Sequence, residues 1–342
     1  MKFAVGFQLY DPGEEPFSEI VKTYKSHISE VFFSWQDTPS GRSGIATRHG
    51  ATDWTAQSRM EQELKAIKAM GVKLDLLFNG NCYGKYAISE KLANMVGSLI
   101  DHLNDTVGGV DIVTTTSPAI AHTVKKYFPE IELRSSVNMK IGTVKAMEYM
   151  AEYFDSYHVQ RDYNRDLEHL QKLKSWADAN GKKLVMLANS GCFAHCSGQI
   201  FHDNMVAHEE EICEINNLKD FNPYVCWRML KKRENWPMLL QNTWVRPEDL
   251  HNYEGIFDTV KLATRMHSHP GMVIAAYVNG RHYGNVLDLC EPGFGRAIAP
   301  YIVDNRSFPE DWFQRTSSCN KECHSCGYCA SVLEKVLLNT QG

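Results

Sequence analysis

Short apolar runs alternate with longer amphipathic segments along most of the chain. The short runs are rich in β-branched and aliphatic residues, which favours strands. The predicted strands are Phe3–Leu9, Glu30–Ser34, Lys73–Phe78, Val110–Thr115, Glu132–Val137, Ser156–Gln160, Lys183–Ala188 and Thr259–Ala263. The longer segments repeat apolar residues at helical spacing. They predict helices over Thr55–Met70, Ser89–Leu103, Pro118–Tyr127, Thr143–Tyr153 and Leu167–Asn180.

This alternation predicts an α/β fold, a (β/α)8 barrel of the TIM type. An open doubly wound sheet is the other candidate, but no G-x-G-x-x-G or P-loop motif follows a strand. The predicted barrel covers residues 1–280 and contains an insertion, 190–245, too long for an ordinary βα loop. A helix near Pro270–Val278 follows the last strand. Residues 281–342 form a C-terminal extension that carries a cysteine cluster, 319–329, and a short helix, Ala330–Leu338.

The composition is that of a soluble globular protein, with 43% hydrophobic and 23% charged residues. The formal net charge is −5, so charge gives no support to nucleic-acid binding. No apolar run reaches the roughly 18 residues that a membrane span needs. The start of the chain lacks a signal-peptide pattern, so we expect a cytoplasmic protein in a reducing compartment. Clustered cysteines in such a compartment more often hold metal than form disulfides.

The chain has 10 cysteines, and the first group follows the seventh predicted strand. Cys192 and Cys196 flank Phe-Ala-His, and Cys213 and Cys226 lie further along the insertion. Thiolates on irregular backbone can converge on an iron–sulfur cluster, whose ligands tolerate wide spacing. Zinc is the alternative, with His195, His202 or His208 replacing a cysteine. Cys213 lies in an acidic stretch, so a surface thiol is the competing interpretation for it.

The second group is denser, with Cys319, Cys323, Cys326 and Cys329 inside eleven residues. Four ligands this close in sequence suit a [4Fe–4S] cluster better than zinc, whose ligand pairs are usually separated by a longer loop. The spacing C-x3-C-x2-C also matches the motif of radical S-adenosylmethionine enzymes. That motif usually follows the first barrel strand, whereas here it lies behind the barrel and Cys329 is available as a fourth ligand. S-Adenosylmethionine therefore stays open as a second cofactor.

Polar residues follow the predicted strands where a barrel carries its chemistry. These residues are Asn79, Asn81, Thr114–Thr116, Ser135, Ser136, Asn138, Gln160, Arg161, Asn189, Lys261 and Arg265. Some of them could simply cap the following helices. Taken as a ring, they predict a polar pocket in which Lys261, Arg265, Arg161 and Arg134 bind an anionic substrate or donor. Surface ion pairing is the alternative for at least one of these cations.

Several segments together resemble the collagenase-like peptidases, peptidase family U32. They are Leu133–Asn138, His158–Arg161, Asn189–Cys192, Cys196–Gln199, Cys226–Arg228 and Asp258–Arg265. The resemblance is distant and covers roughly Glu132–Tyr277. The family's Glu-x-Phe-x-His-Gly stretch is replaced here by Lys183–Asn189, and the C-terminal cysteine group is not part of the family pattern.

The resemblance implies a [4Fe–4S] cluster on Cys192, Cys196 and Cys226, with Cys213 or Cys290 as the fourth ligand. Family members of this kind support oxygen-independent hydroxylation, with prephenate as the implied oxygen donor. By position, Lys261 and Arg265 match a lysine and an arginine that project from a late strand. Arg161 and Asn138 complete the predicted catalytic set.

The leading hypothesis is an enzyme with one or two [4Fe–4S] clusters that carries out an oxygen-independent redox modification. Its substrate would be a small molecule, a peptide or RNA, although the acidic charge balance does not favour RNA. A radical S-adenosylmethionine enzyme, a peptidase, and a non-catalytic electron carrier or scaffold are the alternatives. No H-E-x-x-H or G-x-S-x-G motif is present, and no single Cys/His pair stands out. A protein partner or a homo-oligomer would fit the family, and no membrane is expected.

Overall fold

The computed structural model describes residues 1–36, 38 and 52–341. Its centre is a closed barrel of parallel strands in sequence order, in which the last strand pairs with the first. The barrel strands are β1 (Lys2–Gly6), β2 (Ile28–Phe33), β3 (Lys73–Phe78), β4 (Ile112–Thr115), β5 (Glu132–Ser135), β6 (Ser156–His158), β7 (Lys183–Leu187) and β8 (Thr259–Leu262). The predicted (β/α)8 fold is therefore confirmed, and the open doubly wound sheet is wrong.

Helices connect the strands and cover the outside of the barrel. They are α1 (Phe17–Thr23), α2 (Trp54–Ala69), α3 (Glu90–Val107), α4 (Pro118–Tyr127), α5 (Val144–Tyr149), α6 (Leu167–Ala179) and, after β8, α10 (Pro270–Val278). Side-chain oxygens cap several N-termini: Ser89 accepts from the backbone N–H of Leu92, and Ser117 accepts from that of Ile120. Helix α3 ends at Gly108, which has the left-handed backbone conformation (φ +86°) common after a helix.

Most strand residues that face the helices are apolar and belong to one large buried core. Val5, Val31, Leu76, Val113 and Val260 are examples, each with no exposed surface. The opposite face of each strand lines the barrel interior. A small apolar cluster of Ala4, Phe32 and Leu77 lies there, and many of the remaining interior positions are polar or charged.

The insertion after β7 contains α7 (Gln199–Ala207), α8 (Glu209–Cys213) and α9 (Val225–Leu230). The C-terminal extension contains α11 (Gly295–Ile298), β9 (Tyr301–Val303), α12 (Trp312–Ser317), α13 (Tyr328–Val336) and β10 (Leu337–Asn339), and β9 pairs antiparallel with β10. A second buried core joins the end of the insertion to this extension, through residues such as Trp236, Trp244, Phe294, Trp312 and Val336. The two segments therefore form one body beside the barrel.

The predicted helices and strands differ from the observed ones mainly at their ends. Strand β1 ends at Gly6 rather than Leu9, and α5 ends at Tyr149 rather than Tyr153. Helix α1 is absent from the prediction because a seven-residue helix after Pro16 leaves little periodicity to detect. The last helix, α13, begins at Tyr328 and its predicted end becomes β10. None of the helices that the structure describes is both long and apolar enough to cross a bilayer.

Candidate functional site

The barrel interior contains a buried ionic network centred on Arg134 of β5. Its Nη1 donates to Oε1 of Glu30, and its Nη2 donates to Oε2 of Glu30 at 3.2 Å and to Oε1 of Glu132 at 2.9 Å. Asp75 lies 3.9 Å from Nη1 and accepts a 2.9 Å hydrogen bond from Thr114. Arg134 therefore lies inside the barrel with three carboxylates. It is not a free cation at the rim, which corrects its predicted role in binding a substrate anion.

Lys261 of β8 lies in the same interior, only 9% exposed, with Nζ 3.8 Å from the ring centroid of Phe32. Burial lowers the pKa of Lys261 to about 8; Asp75 opposes this shift, while Arg265 and Arg134 add to it. Burial also raises the pKa of Asp75, although Arg134 and Lys261 oppose the change. An amine with this pKa can bind an anion or exchange a proton near neutral pH.

His158 of β6 is a site residue that the sequence analysis did not single out. It is buried, and its Nδ1 lies 2.9 Å from the carbonyl oxygen of Ser135. Burial, with Lys261 and Arg134 nearby, holds the pKa of His158 well below its usual range, so the ring is neutral. Within the described part of the chain, its Nε2 and the Oγ of Ser135 have no hydrogen-bond partner. Its place two residues after Ser156 on one strand was the signal that could have indicated an inward position.

Several members of the predicted ring of polar residues form hydrogen bonds to neighbouring loops and strands. Asn138 donates to the carbonyl oxygen of Asn79 at 3.1 Å, which ties the loop after β5 to the loop after β3. Asn189 joins β7 to β8 by donating to the carbonyl of Ala263 at 2.9 Å and accepting from its N–H at 2.6 Å. Arg161 is buried, and its Nη1 lies 3.3 Å from the Oγ of Ser190. Asn138 and Asn189 thus tie neighbouring loops together, and neither bond is a helix cap.

Arg265 follows β8, and its backbone packs closely against the end of β1. A Cβ placed on Gly6 would lie 2.7 Å from both Cβ and N of Arg265, and 2.8 Å from Cε2 of Phe32. Only glycine leaves room for this approach. Gly6 therefore sets the position of Arg265 beside Lys261 at the carboxyl end of the barrel.

The loop after β7 brings three cysteines of the first group together. The charges of Cys192 and Cys196 contribute to raising the pKa of Cys226, although burial of Cys226 is the larger cause. A Cβ on Gly198 would lie 2.8 Å from Cγ2 of Val225 and 3.8 Å from Sγ of Cys196. The loop after β7 is therefore in direct contact with the start of α9, next to these cysteines.

The two candidates for a fourth ligand of this group differ in burial. Cys213 is exposed at the end of α8. Cys290 is buried beneath the loop after β7. Its Cβ lies 3.3 Å from the position that a Cβ on Gly191 would occupy. Its Sγ lies 3.7 Å from the carbonyl oxygen of Val286, and burial raises its pKa to about 12. The choice between them stays open, and the role of each as a ligand stays a prediction.

The second cysteine group surrounds one cleft. Cys319, Cys323, Cys326 and Cys329 all line it, between α12 and α13. Burial raises the pKa of Cys329 to about 11; Arg165 opposes this shift, and the other three thiols add to it. A neighbouring cleft reaches from this group to Ala194 and His195, so the loop of the first group lies close by.

Arg165, next to the second group, is a buried cation. Its Nε and Nη2 donate to the carbonyl of Trp244 at 3.0 and 2.6 Å, and its Nη1 donates to that of Leu240 at 2.8 Å. The guanidinium also lies over the rings of Trp244 and Trp312, at 4.7 and 5.2 Å. Among the described residues, no carboxylate lies within salt-bridge distance of the guanidinium, and Asp249 acts on it from further away. Its positive charge instead opposes the raised thiol pKa values of Cys323 and Cys329.

All ten cysteines lie in the described part of the chain, and none forms a disulfide. Across the described residues, no three His, Cys, Asp or Glu side chains are arranged so that they could hold one metal ion. A cluster differs from a single ion because its thiolates bind different irons and lie further apart. Four thiols around a cleft beside the buried guanidinium of Arg165 fit the chemistry of an anionic thiolate-ligated cluster. Zinc remains the alternative metal.

The chain is similar to a curated protease sequence and to the solved structure of a peptidase. It is 26% identical over 284 residues to an uncharacterized protease of Methanocaldococcus jannaschii, covering 81% of each chain. It also resembles the solved structure of a U32 peptidase, with a TM-score of 0.52 and 14% identity, covering 76% of this chain and 91% of that one. No protein-family model matches the chain.

The predicted resemblance is thereby confirmed as a distant relationship to the U32 peptidases. The structural likeness is evidence for the barrel fold alone, because the identity is low. The comparisons favour an enzyme related to these peptidases, and they give no support to the predicted oxidoreductase class. The peptidase alternative thus has more support from them than the leading hypothesis.

Proposed function

We propose, from the distant relationship to the U32 peptidases, that the chain is an enzyme whose substrate binds at the carboxyl end of the barrel. We further propose that its cysteine groups hold one or two [4Fe–4S] clusters, for an oxygen-independent redox modification of the substrate. The observation that carries this proposal is the cleft lined by Cys319, Cys323, Cys326 and Cys329 beside the buried Arg165.

Charge is the reason for preferring a cluster in this cleft. A buried cation without a counter-charge is costly, by several kcal/mol. Arg165 offsets part of that cost through hydrogen bonds to backbone carbonyls, which satisfy its donors without neutralising it. Thiolates that ligate a cluster would place negative charge much closer to this guanidinium than Asp249 does. When bound, such a cluster exchanges single electrons or presents an iron to a ligand, such as S-adenosylmethionine.

The proposed substrate-binding site consists of Lys261, Arg265 and His158. The ammonium of Lys261 and the guanidinium of Arg265 favour a carboxylate or another small anion. The neutral His158, with Nδ1 held by the carbonyl of Ser135, would accept a proton through Nε2. A small acidic molecule or an acidic peptide group fits these residues, and the net charge of −5 does not favour RNA.

Metal analysis of anaerobically purified protein tests the cluster proposal. We expect about eight irons and eight sulfides if both groups are loaded, and about four after either C323A/C326A or C192A/C196A. C82S is the matched control, since Cys82 belongs to neither group, and it should keep the wild-type iron content. Zinc in place of iron, or no metal after anaerobic purification, would contradict the proposal.

Arg165 offers a test that leaves every cysteine in place. R165M removes the charge and keeps much of the side-chain volume, whereas R306M removes a largely exposed arginine. We expect R165M to lose iron selectively from the C-terminal group and R306M to retain it. Equal iron content in both variants would show that Arg165 does not supply the counter-charge.

Lys261 provides the corresponding test for the substrate end. Because its pKa is lowered to about 8, it is charged below that pH and neutral above it. Affinity for a carboxylate probe such as succinate should therefore fall as the pH rises through 8, and K261M should bind weakly without this pH dependence. The measurement is calorimetric titration between pH 6 and 9.5. Binding that is unchanged in K261M would remove Lys261 from the site.

A peptidase is the second candidate function, because the curated relative in Methanocaldococcus jannaschii is described as a protease. It would hydrolyse peptides without any need for iron. Peptide cleavage that is retained in the cysteine double variants would favour this candidate over the cluster enzyme. A cytoplasmic location remains part of the proposal.

A further inference from the structure

One buried amine inside the barrel has no direct anionic partner, and it belongs to Lys261 of β8. Among the residues that the structure describes, no carboxylate lies within salt-bridge distance of its Nζ, and no protein oxygen accepts a hydrogen bond from it. Its contact is with the ring of Phe32, whose centroid lies 3.8 Å from Nζ. The side chain is only 9% exposed. Lysines are seldom buried in this way without a partner, so a functional reason is expected.

The carboxylates of the barrel interior are bound to another cation. Both carboxylate oxygens of Glu30 accept hydrogen bonds from Arg134, and Oε1 of Glu132 accepts one from it at 2.9 Å. Asp75 lies 3.9 Å from Nη1 of the same guanidinium. The direct ion pairs of the interior are therefore complete without Lys261, and its amine stays available to a ligand.

The position of Lys261 places this amine towards the carboxyl end of the barrel, where the substrate is proposed to bind. Lys261 is the third residue of the four in β8, and it pairs with Ala4 of β1 and Leu187 of β7. Both neighbours are aliphatic, so neither can bind the ammonium. Arg265 follows at the end of the strand, and its backbone packs against Gly6. A ligand on Lys261 would thus have a guanidinium beside it.

A lysine in desolvated surroundings near other cations is a nucleophile for carbonyl groups. Burial lowers the pKa of Lys261 to about 8; Asp75 and Glu30 oppose this shift, and Arg265 and Arg134 add to it. At pH 7 about a tenth of the amine is then neutral, compared with less than about one part in a thousand for an ordinary lysine. The neutral amine is the form that attacks a carbonyl carbon.

We propose that Lys261 is a covalent site that forms an imine with the carbonyl group of a small 2-oxo acid, whose carboxylate is bound by Arg265. This inference rests on the proposed substrate site at the carboxyl end of the barrel and names the class of substrate for it. The carboxylate of a 2-oxo acid is next to its carbonyl group, as Arg265 is next to Lys261. The ring face of Phe32 attracts the protonated imine as it attracts the ammonium.

Imine formation balances without an oxidant or a reductant. Nζ of the neutral amine forms a bond to the carbonyl carbon, and a proton moves from nitrogen to the carbonyl oxygen, which gives a carbinolamine. The hydroxyl group then leaves as water with the second proton of the nitrogen, and the carbon–nitrogen double bond forms. The protonated imine withdraws electrons from the neighbouring carbon atoms and activates the substrate there. Addition of water reverses the steps and releases the lysine.

Reductive trapping tests the proposal in the complete protein. Wild type is incubated with pyruvate and sodium cyanoborohydride near neutral pH, and the modified lysines are identified by peptide mass spectrometry. We expect a carboxyethyl group on Lys261, formed on the order of a hundredfold faster than on exposed Lys172, in line with their neutral fractions. Lys182, whose Nζ donates to the carbonyls of Ala151 and Phe154, should stay unmodified. Omission of pyruvate should abolish the modification.

Two variants separate nucleophilic reactivity from charge. K261R keeps a positive charge but forms no imine, so it should lose trapping at this position and still bind succinate. K172M, which changes a lysine paired with Glu168 on the surface, should be trapped at Lys261 like wild type. Circular dichroism confirms that both variants fold.

The outcome that would overturn the proposal is a wild-type protein in which Lys261 is not trapped, or is trapped no faster than Lys172. Succinate binding is measured on the same samples. If wild type and K261R bind succinate while Lys261 is not trapped, the imine proposal fails and the proposed substrate site stands. If neither protein binds succinate and Lys261 is not trapped, both fail.

Discussion

Arg134 and Glu30 form a two-point ion pair across the barrel interior, joining β5 to β2 although 104 residues separate them along the chain. Both side chains are at most 4% exposed, so neither charge is well solvated. TIM barrels usually fill this space with layers of branched apolar side chains. Here ion pairs join the strands instead. The buried carboxylates are stabilised by Arg134, and Arg134 is stabilised by them.

We expect R134M to destabilise the protein by about 3–5 kcal/mol at pH 7, because it leaves buried carboxylates without their cation. Burial already raises the pKa of Asp75 to about 7, so protonation of this carboxylate relieves part of the repulsion and the deficit should shrink as the pH falls towards 5. Urea unfolding of both proteins at several pH values measures it. R134K keeps the charge and should lose less. A loss that is independent of pH would mean that packing, not charge, sets the cost.

Ionised Glu132 should stabilise the folded protein, and this stabilisation should disappear in acid. Burial opposes its ionisation, but Arg134, Lys183 and Ser156 outweigh this and lower its pKa to about 2 from an ordinary 4.5. A carboxyl with a depressed folded-state pKa stabilises the protein above its unfolded pKa and loses that contribution as the pH falls through the folded one. The contribution is about 3 kcal/mol at most.

E132Q should therefore show a shallower loss of unfolding free energy than wild type between pH 4.5 and 2. E168Q, which breaks a surface pair with Lys172, serves as the control and should keep the wild-type slope. Parallel slopes for wild type and E132Q would contradict the expected role of Glu132.

Gly6→Ala should disturb the carboxyl end of the barrel. The added methyl would lie 2.7 Å from Cβ and N of Arg265, which forces a backbone shift with a cost of about 1–3 kcal/mol. G97A is the matched control, because its methyl would meet only Phe128, at 4.0 Å, and lies inside α3. Alanine in a helix should stabilise the protein by about 0.5–1 kcal/mol. Thermal unfolding compares the two, and equal melting temperatures would refute the close approach.

Gly191→Ala should displace the loop of the first cysteine group without changing a cysteine. Its methyl would lie 1.9 Å from the carbonyl oxygen of Pro292, which cannot be accommodated without movement. If Cys192 and Cys196 bind iron, G191A should lose about as much iron as C192A/C196A. G271A, whose methyl would lie 3.8 Å from Ile20, should lose none. Full iron content in G191A would show that this loop does not take part in metal binding.

The eight strands and the barrel could be predicted because each strand carries its own apolar signal within a few residues. Strand ends are harder to predict: the sequence places Val137 and Gln160 in strands, although β5 ends at Ser135 and β6 ends at His158. The interior network was hidden because Arg134, read in sequence, follows the pattern of a rim cation. Its true partners, Glu30 and Asp75, are known only once the barrel closes.

The buried cation beside the second cysteine group could not be predicted for a different reason. Arg165 was overlooked because its partners are backbone carbonyls, which leave no signature in the side-chain pattern. Cysteine density, in contrast, is visible in the sequence, and it led directly to the cleft between α12 and α13.

The shared core of the insertion and the C-terminal extension has an evolutionary consequence. Trp236 and Trp244 come from one segment, and Phe294, Trp312 and Val336 from the other, so each segment buries the apolar surface of its counterpart. A lineage that lost one segment would expose the other to water, and selection would then remove or rewrite it. The two should therefore be inherited as a single module, and relatives without the tail should also lack the tryptophan-bearing end of the insertion.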